Sequence, residues 1–295
     1  MPYALELIRT PDGRELEVAR LGTEGGVPVV FHHGSPGSCA TALSLEAMGL
    51  SQGLDILTSS RAGYGHSSAR PGRDVAAVVS DVAALRAHFG VGDYVAVGWS
   101  GGGPHALACA SLDEHCRGAI SLAGVAPIDA DFDWTEGMAP ENVEEFILAR
   151  EGGAAYVAHM QATAEQFARA SAMSIVDLFG ELLSDVDRAA LEPQAAREIL
   201  AQSCREAFAR SAEGYIDDDR AFFAAWGFDL GSISRPVQIW YGDNDLMVPA
   251  SHGAWLARAI PTASAVHLPA DGHLSLVAAH QGELGVAITH LWGPA

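Results

Sequence analysis

Three residues whose side chains can together activate a hydroxyl stand far apart in this chain, each in a glycine-bearing turn: Ser100, Asp245 and His273. A serine hydroxyl is a weak nucleophile and needs a base to take its proton. Imidazole titrates near neutrality, so it can accept that proton and return it to a leaving group. A carboxylate beside the imidazole holds its tautomer and stabilises its protonated form. Serine, acid and histidine in this order describe acyl transfer, provided the fold brings their turns together.

Just ahead of Ser100, residues 94–97 are an apolar run of strand formers. They lead into Gly98-Trp99-Ser100-Gly101-Gly102, and a helical segment is expected over 104–110. That is the order of a nucleophile elbow: buried strand, sharp turn with serine at its apex, helix N-terminus. Gly98 and Gly102 leave room where a β-carbon would block the crossing. The Gly101 amide, at the helix start, would point toward charge developing on a bound carbonyl. Taken alone, G-x-S-x-G also fits a flexible loop.

The rest of the chain supplies strands to hold such turns. Residues 3–10 and 15–21 alternate around Pro11-Asp12-Gly13 and read as a hairpin. The continuous apolar run at 27–33 reads as a strand buried on both faces, and 54–60, 118–122, 236–241 and 265–268 read as further strands. Helical spacing falls between them near 40–51, over 74–89 with Asp74 as N-cap, over 252–260 and over 275–291. This alternation predicts a doubly wound, mostly parallel sheet, in which carboxyl ends of strands converge on one edge. Between about 129 and 229 the pattern is helical and alanine-rich, with helices expected over 141–150, 154–171, 175–183 and 194–210. Trp134, Phe222, Phe223, Trp226 and Phe228 cluster near the two ends of that insertion. The expected division is a core of 1–128 and 230–295 with a helical cap over 129–229.

With 295 residues, 49% hydrophobic and a formal net charge of −20, the chain has material for a large core and a field that repels nucleic acid and anionic membranes. Four cysteines lack metal or disulfide spacing and read as small core residues. No secretory signal is evident, so a cytoplasmic protein without a membrane span is expected. No motif implies a metal, a nicotinamide or a nucleotide, so no cofactor is expected. Oligomeric state is not legible.

Four motifs at the expected strand ends, HHGSPG (32–37), SRAGYGHS (60–67), GWSGGG (98–103) and YGDNDLMVP (241–249), precede a terminal DGHLSL (271–276). With them the chain resembles the α/β-hydrolase superfamily, in its cap-bearing branch, over essentially its whole length. The resemblance implies an eight-stranded sheet, Ser100 as nucleophile, Asp245 as acid and His273 as base. It places the oxyanion hole on the amides of Ser35 and Gly101. Asp243, two residues from Asp245, and Asp129, after the strand near 123, are the competing acids, and either also reads as a turn residue. Asp271 reads as a brace of the histidine loop. His280 and His290 read as helix residues, His267 as a strand residue and His66 as surface. His33 reads as a structural histidine that could also shape the oxyanion hole, and His33, Gly34 and Trp99 are possible pocket residues. Arg61 and Tyr64 read as loop braces. Relatives often carry aspartate where this chain has Ser60, which leaves a loop salt bridge in doubt.

Serine at the elbow, where relatives that form alkyl-ester intermediates use aspartate, argues for acyl transfer. The expectation is a hydrolase of small, mostly apolar carboxylic esters. One rival is a proline-iminopeptidase-like amidase. Its substrate amine would need cap carboxylates such as Glu141, Glu144, Glu145 or Asp217, Asp218 and Asp219, which read more simply as exposed charges. Lactone or carbon–carbon bond hydrolysis and perhydrolysis stay open for the same site. A rival of another class is a non-catalytic receptor on the same fold. The expected partner is a small-molecule ester or amide.

Overall fold

The computed structural model describes residues 3–293. Eight strands run in chain order: β1 (Glu6–Arg9), β2 (Glu15–Gly22), β3 (Val27–His32), β4 (Leu54–Ser60), β5 (Tyr94–Trp99), β6 (Cys116–Leu122), β7 (Val237–Gly242) and β8 (Ala263–Leu268). They form one sheet in the order β1-β2-β4-β3-β5-β6-β7-β8. β1 and β2 are the expected hairpin, and β2 lies antiparallel on β4; every later pairing is parallel. The chain steps from β3 outward to β4 and then returns past β3 to β5. The gap between β3 and β5 is therefore the point where the winding reverses, the usual place for a binding crevice at the carboxyl edge.

Period-2 alternation sorts the strand side chains into two layers. Val29, Phe31, Val95 and Val97 face one apolar cluster, while Val30 and Ala96 face the other. Helices cover both faces: α1 (Glu46–Gln52), α2 (Val78–Phe89) and α3 (Gly103–Leu112) come first in the chain. Six helices follow between β6 and β7: α4 (Pro140–Glu151), α5 (Gly153–Phe167), α6 (Ile175–Phe179), α7 (Asp185–Ala190), α8 (Gln194–Ala207) and α9 (Glu213–Phe222). α10 (Ala250–Ala259), α11 (Ser275–Ala279) and α12 (Gln281–Trp292) close the chain. No helix among the described residues is long and apolar enough to cross a membrane.

The differences from expectation are local. A 3-10 turn, Cys39–Leu45, precedes α1. The helix expected from 74 starts at Val78: the turn before it is closed by tighter three-residue hydrogen bonds, Val78 N to Val75 O and Val79 N to Ala76 O, and Asp74 caps that turn by accepting the Ala77 amide at 2.8 Å. The expected closing helix is two, broken at His280, whose ring is drawn to Asp271 at 2.9 Å. α7 and α9 were not expected at all.

The inserted helices pack a third apolar cluster of their own, and Tyr64 of the core is buried in it. Trp134 meets Phe146, Phe223 and His252 at centroid distances of 4.8, 5.4 and 4.9 Å. α8 also lies on the 3-10 turn of the core, where Thr41 and Ser203 share a 2.6 Å hydrogen bond.

Candidate active site

Ser100 directly follows β5 and takes φ +57°. A residue with a β-carbon holds this left-handed conformation only where its surroundings enforce it. Here two glycines do so. A β-carbon on Gly98 would overlap the Gly102 carbonyl, and one on Gly102 would overlap the His32 carbonyl. Backbone therefore lies on backbone as the chain turns through Ser100–Gly102 into α3. Ser100 lines a cavity of about 300 Å³. It makes no side-chain hydrogen bond among the described residues, to His273 or to any other group.

The β3–β5 register, His32 opposite Gly98, sets the turn after β3 beside this one. Gly34 touches the serine turn so closely that a β-carbon on it would meet Ser100 Cβ and the Trp99 ring at 3.2 Å. The Ser35 side chain lies against Gly101, and both residues line the cavity with Ser100. The Ser35 amide donates no hydrogen bond among the described residues. The Gly101 amide belongs to the first helical turn, where N–H groups have no acceptor within the helix. Two unengaged donors thus flank the serine.

Asp245 and His273 are brought together from the ends of β7 and β8. His273 Nδ1 lies 2.8 Å from Asp245 Oδ2, and both side chains are 1% exposed. Asp245 Oδ1 accepts the amides of Met247 and Val248 at 2.9 and 2.8 Å, so the carboxylate is fully engaged. The His273 ring packs on Trp99, the neighbour of Ser100, at 5.2 Å, and Trp99 Nε1 donates to the His273 carbonyl at 3.1 Å. Burial alone would lower the His273 imidazole. The Asp245 charge and hydrogen bond, with Asp187 behind, outweigh it and raise the group above its ordinary value.

Asp243 is exposed and pairs instead with His267 at 2.7 Å, and Asp129 is exposed. His66 is exposed, and Asp271 braces its loop through His280, which stands at a helix break and not within a helix. His33 and Gly34 do not reach the cavity wall. The His33 ring is turned inward: Nε2 accepts the Arg61 amide at 3.0 Å, so Nδ1 is the protonated nitrogen that donates to the Gly34 carbonyl at 2.6 Å. Burial, then the Arg61 charge, hold this imidazole neutral, well below its usual range. Trp99 lines a different cavity of about 230 Å³, mostly apolar, with Phe31, Ile199, Leu200, Leu274 and Val277.

Two carboxylates of the inserted helices hold the turns of this site. Asp187 of α7, fully buried, accepts the amides of His273, Leu274 and Ser275 at 3.0, 2.8 and 2.9 Å. Asp218 of α9, also fully buried, accepts from the Ser35 hydroxyl, from Tyr64 Oη at 2.9 Å and from Arg61 and Arg73, each at 2.6 Å. Arg61 also donates to the carbonyls of His33 and Gly34. Burial works against the Asp218 charge, yet Arg61 and Arg73 hold its carboxyl well below the usual range. At Ser60 the missing aspartate is made good from the neighbouring strand. Glu17, paired opposite Ser60, accepts the Ser60 hydroxyl at 2.6 Å and the His66 amide at 3.1 Å.

The cavity itself departs from the apolar pocket expected. Aromatic rings line it, but Glu141, Glu144, Glu145 and Asp219 share the wall. Glu141 and Glu144 are exposed as expected, whereas Glu145 and the run Asp217, Asp218 and Asp219 are buried. Those three aspartates lie on one helix of 10 residues packed between core and insertion, so burial, not solvation, is their common condition.

The α/β hydrolase fold family is matched over residues 27–278. An uncharacterized hydrolase, YcgS, of Bacillus subtilis (strain 168) is 26% identical, with 94% of each chain covered. A non-heme haloperoxidase of Rhodococcus erythropolis is 26% identical over 86% of this chain and 85% of its own. Among solved structures, a thermophilic esterase from Thermogutta terrifontis superposes with a TM-score of 0.66 at 23% identity, covering 97% of both chains.

Proposed function

The chain belongs to the α/β-hydrolase family, and from that premise we propose that it is a serine hydrolase of carboxylic esters. One observation carries the reading: a buried Asp245–His273 pair, hydrogen-bonded at 2.8 Å, packed on the residue next to Ser100. Because Nδ1 donates to Asp245, Nε2 is left as the free base of the neutral ring. As Ser100 Oγ adds to the ester carbonyl, Nε2 takes the hydroxyl proton, and Asp245 stabilises the imidazolium. The amides of Ser35 and Gly101 receive the oxyanion, a contribution of about 2.7–4 kcal/mol per donor in comparable sites. The tetrahedral adduct collapses as His273 returns the proton to the departing alcohol. Water, deprotonated by the same nitrogen, then releases the acid from Ser100.

In this reading the helices of 129–229 act as a cap that roofs the cavity and excludes bulk water. The Thermogutta terrifontis protein's description as an esterase is in keeping with it. Ser100→Ala lowers kcat for p-nitrophenyl butyrate by about a million-fold and abolishes labelling by a fluorophosphonate. Full ester hydrolysis by that variant would sink the assignment, and an unlabelled, inactive wild type would favour a receptor.

A further inference from the structure

The cavity over Ser100 holds more acid than hydrolysis of a neutral ester calls for. Glu145 of α4 and Asp219 of α9 both line it and are only 9% and 1% exposed. Each engages one oxygen: Tyr215 donates to Glu145 Oε2 at 2.7 Å, and Tyr156 to Asp219 Oδ2 at 2.8 Å. Among the described residues the other oxygen of each carboxyl accepts no hydrogen bond. Three other buried carboxylates are more fully engaged: Asp218 has two guanidinium groups, Asp187 three amides, Asp245 two amides and an imidazole. Neither open oxygen is among the occluded polar atoms that lack a partner, and both residues line the cavity, so a donor placed there can reach them. The described lining offers no arginine to do so; its sole basic side chain is that of His159.

We propose that this cavity is built for a substrate carrying an ammonium group, which Glu145 and Asp219 grip while the ester carbonyl lies at Ser100. The ammonium supplies the donors that the two open oxygens lack, and Phe146, Tyr215 and Phe222 line the same space with aromatic rings suited to a cation. The reach is short. The Phe222 ring crowds Gly101, where an added β-carbon would meet it at 3.0 Å, and Asp219 lies one turn back on α9, about 4.5 Å along the axis. Burial first, and for Asp219 also the neighbouring Glu145 charge, raise both carboxyls, Glu145 to about 7. The empty pair therefore keeps a proton near neutrality, and an arriving ammonium replaces it. The carbonyl end of this proposal rests on the serine-hydrolase reading; the ammonium site does not.

The test separates the two. Titration calorimetry of the wild type at pH 8 with benzylammonium, and separately with benzyl alcohol, should show saturable binding at least tenfold tighter for the ammonium. Glu145→Gln and Asp219→Asn should each weaken it at least tenfold. Equal affinity for the two ligands, or ammonium binding retained by both folded variants, overturns the site whether or not esters are hydrolysed. Turnover adds two isosteric pairs: methyl 6-aminohexanoate against methyl heptanoate, and 2-(dimethylamino)ethyl butyrate against 3-methylbutyl butyrate. A tenfold higher kcat/KM for the cationic ester within either pair supports the proposal and tells which side of the ester bears the charge. Neutral esters matched or preferred in both pairs overturn it, leaving the esterase reading standing.

Discussion

Asp187 never touches the reacting atoms in the mechanism above, yet it governs the histidine that does. Its carboxylate gathers three consecutive amides of the His273 loop and adds its charge to that of Asp245. Catalysis needs the imidazole neutral, so rate is lost as pH falls through the His273 value. That value is raised, and the acid limb of kcat/KM therefore lies above the ordinary imidazole figure of about 6.5. Asp187→Asn keeps an acceptor for the amides and removes the charge, so the limb moves to lower pH; an unmoved limb would leave Asp187 only a scaffolding role. At this scale the sequence was legible wherever a glycine turn framed a reactive side chain. Ser100, Asp245 and His273 stand out for that reason; Asp245 and Asp243 each meet an imidazole, but the Asp245 pair is buried and the Asp243 pair exposed. Asp187 gave no such signal, because its partners are backbone amides 86 to 88 residues away. Glu17 was hidden likewise, since only the β2–β4 register reveals that it serves Ser60.

Among the elements, α9 carries the most. Three successive aspartates face three different tasks: Asp218 toward the Ser35 turn, Asp219 into the cavity, Asp217 beside Arg220 at 3.5 Å. The run looked like solvated charge because helical periodicity puts consecutive residues on different faces, and no apolar stripe marked which face was buried. α7, six residues long, was too short to show a period. By contrast, the long helices α4, α5 and α8 were visible from their spacing, to within a few residues at each end. Asp218→Asn leaves Arg61 and Arg73 buried without the carboxylate they share. The expected loss is about 3–5 kcal/mol at pH 7, read by urea denaturation, with kcat reduced as the Ser35 turn loosens. Wild-type stability at pH 7 with kcat unchanged would show the cluster to be dispensable.

At the scale of the whole molecule, the sheet was the most legible part, because central strands such as β3, β5 and β6, largely buried, write mostly apolar runs, whereas the edge strands β1 and β8 are largely exposed. What those runs do not encode is strand order, and with it the reversal between β3 and β5 that sets Ser35 beside Ser100. Three of the four cysteines sit in the sheet core and Cys204 in the cluster of the inserted helices; all are free and buried, and burial raises the Cys116 and Cys204 thiols to about 12. Ellman's reagent should therefore find no reactive thiol in the native protein and four after unfolding, a count that reports global opening; fast native labelling would contradict this packing. The clamps at Asp187 and Asp218 have a consequence for protein engineering. Since the inserted helices complete the turns they cover, a chimera that exchanges this segment for a relative's inherits a working site only if the donor brings acids to both places. Substrate range in this chain cannot be swapped as a cassette; it has to be redesigned around two fixed anchor points.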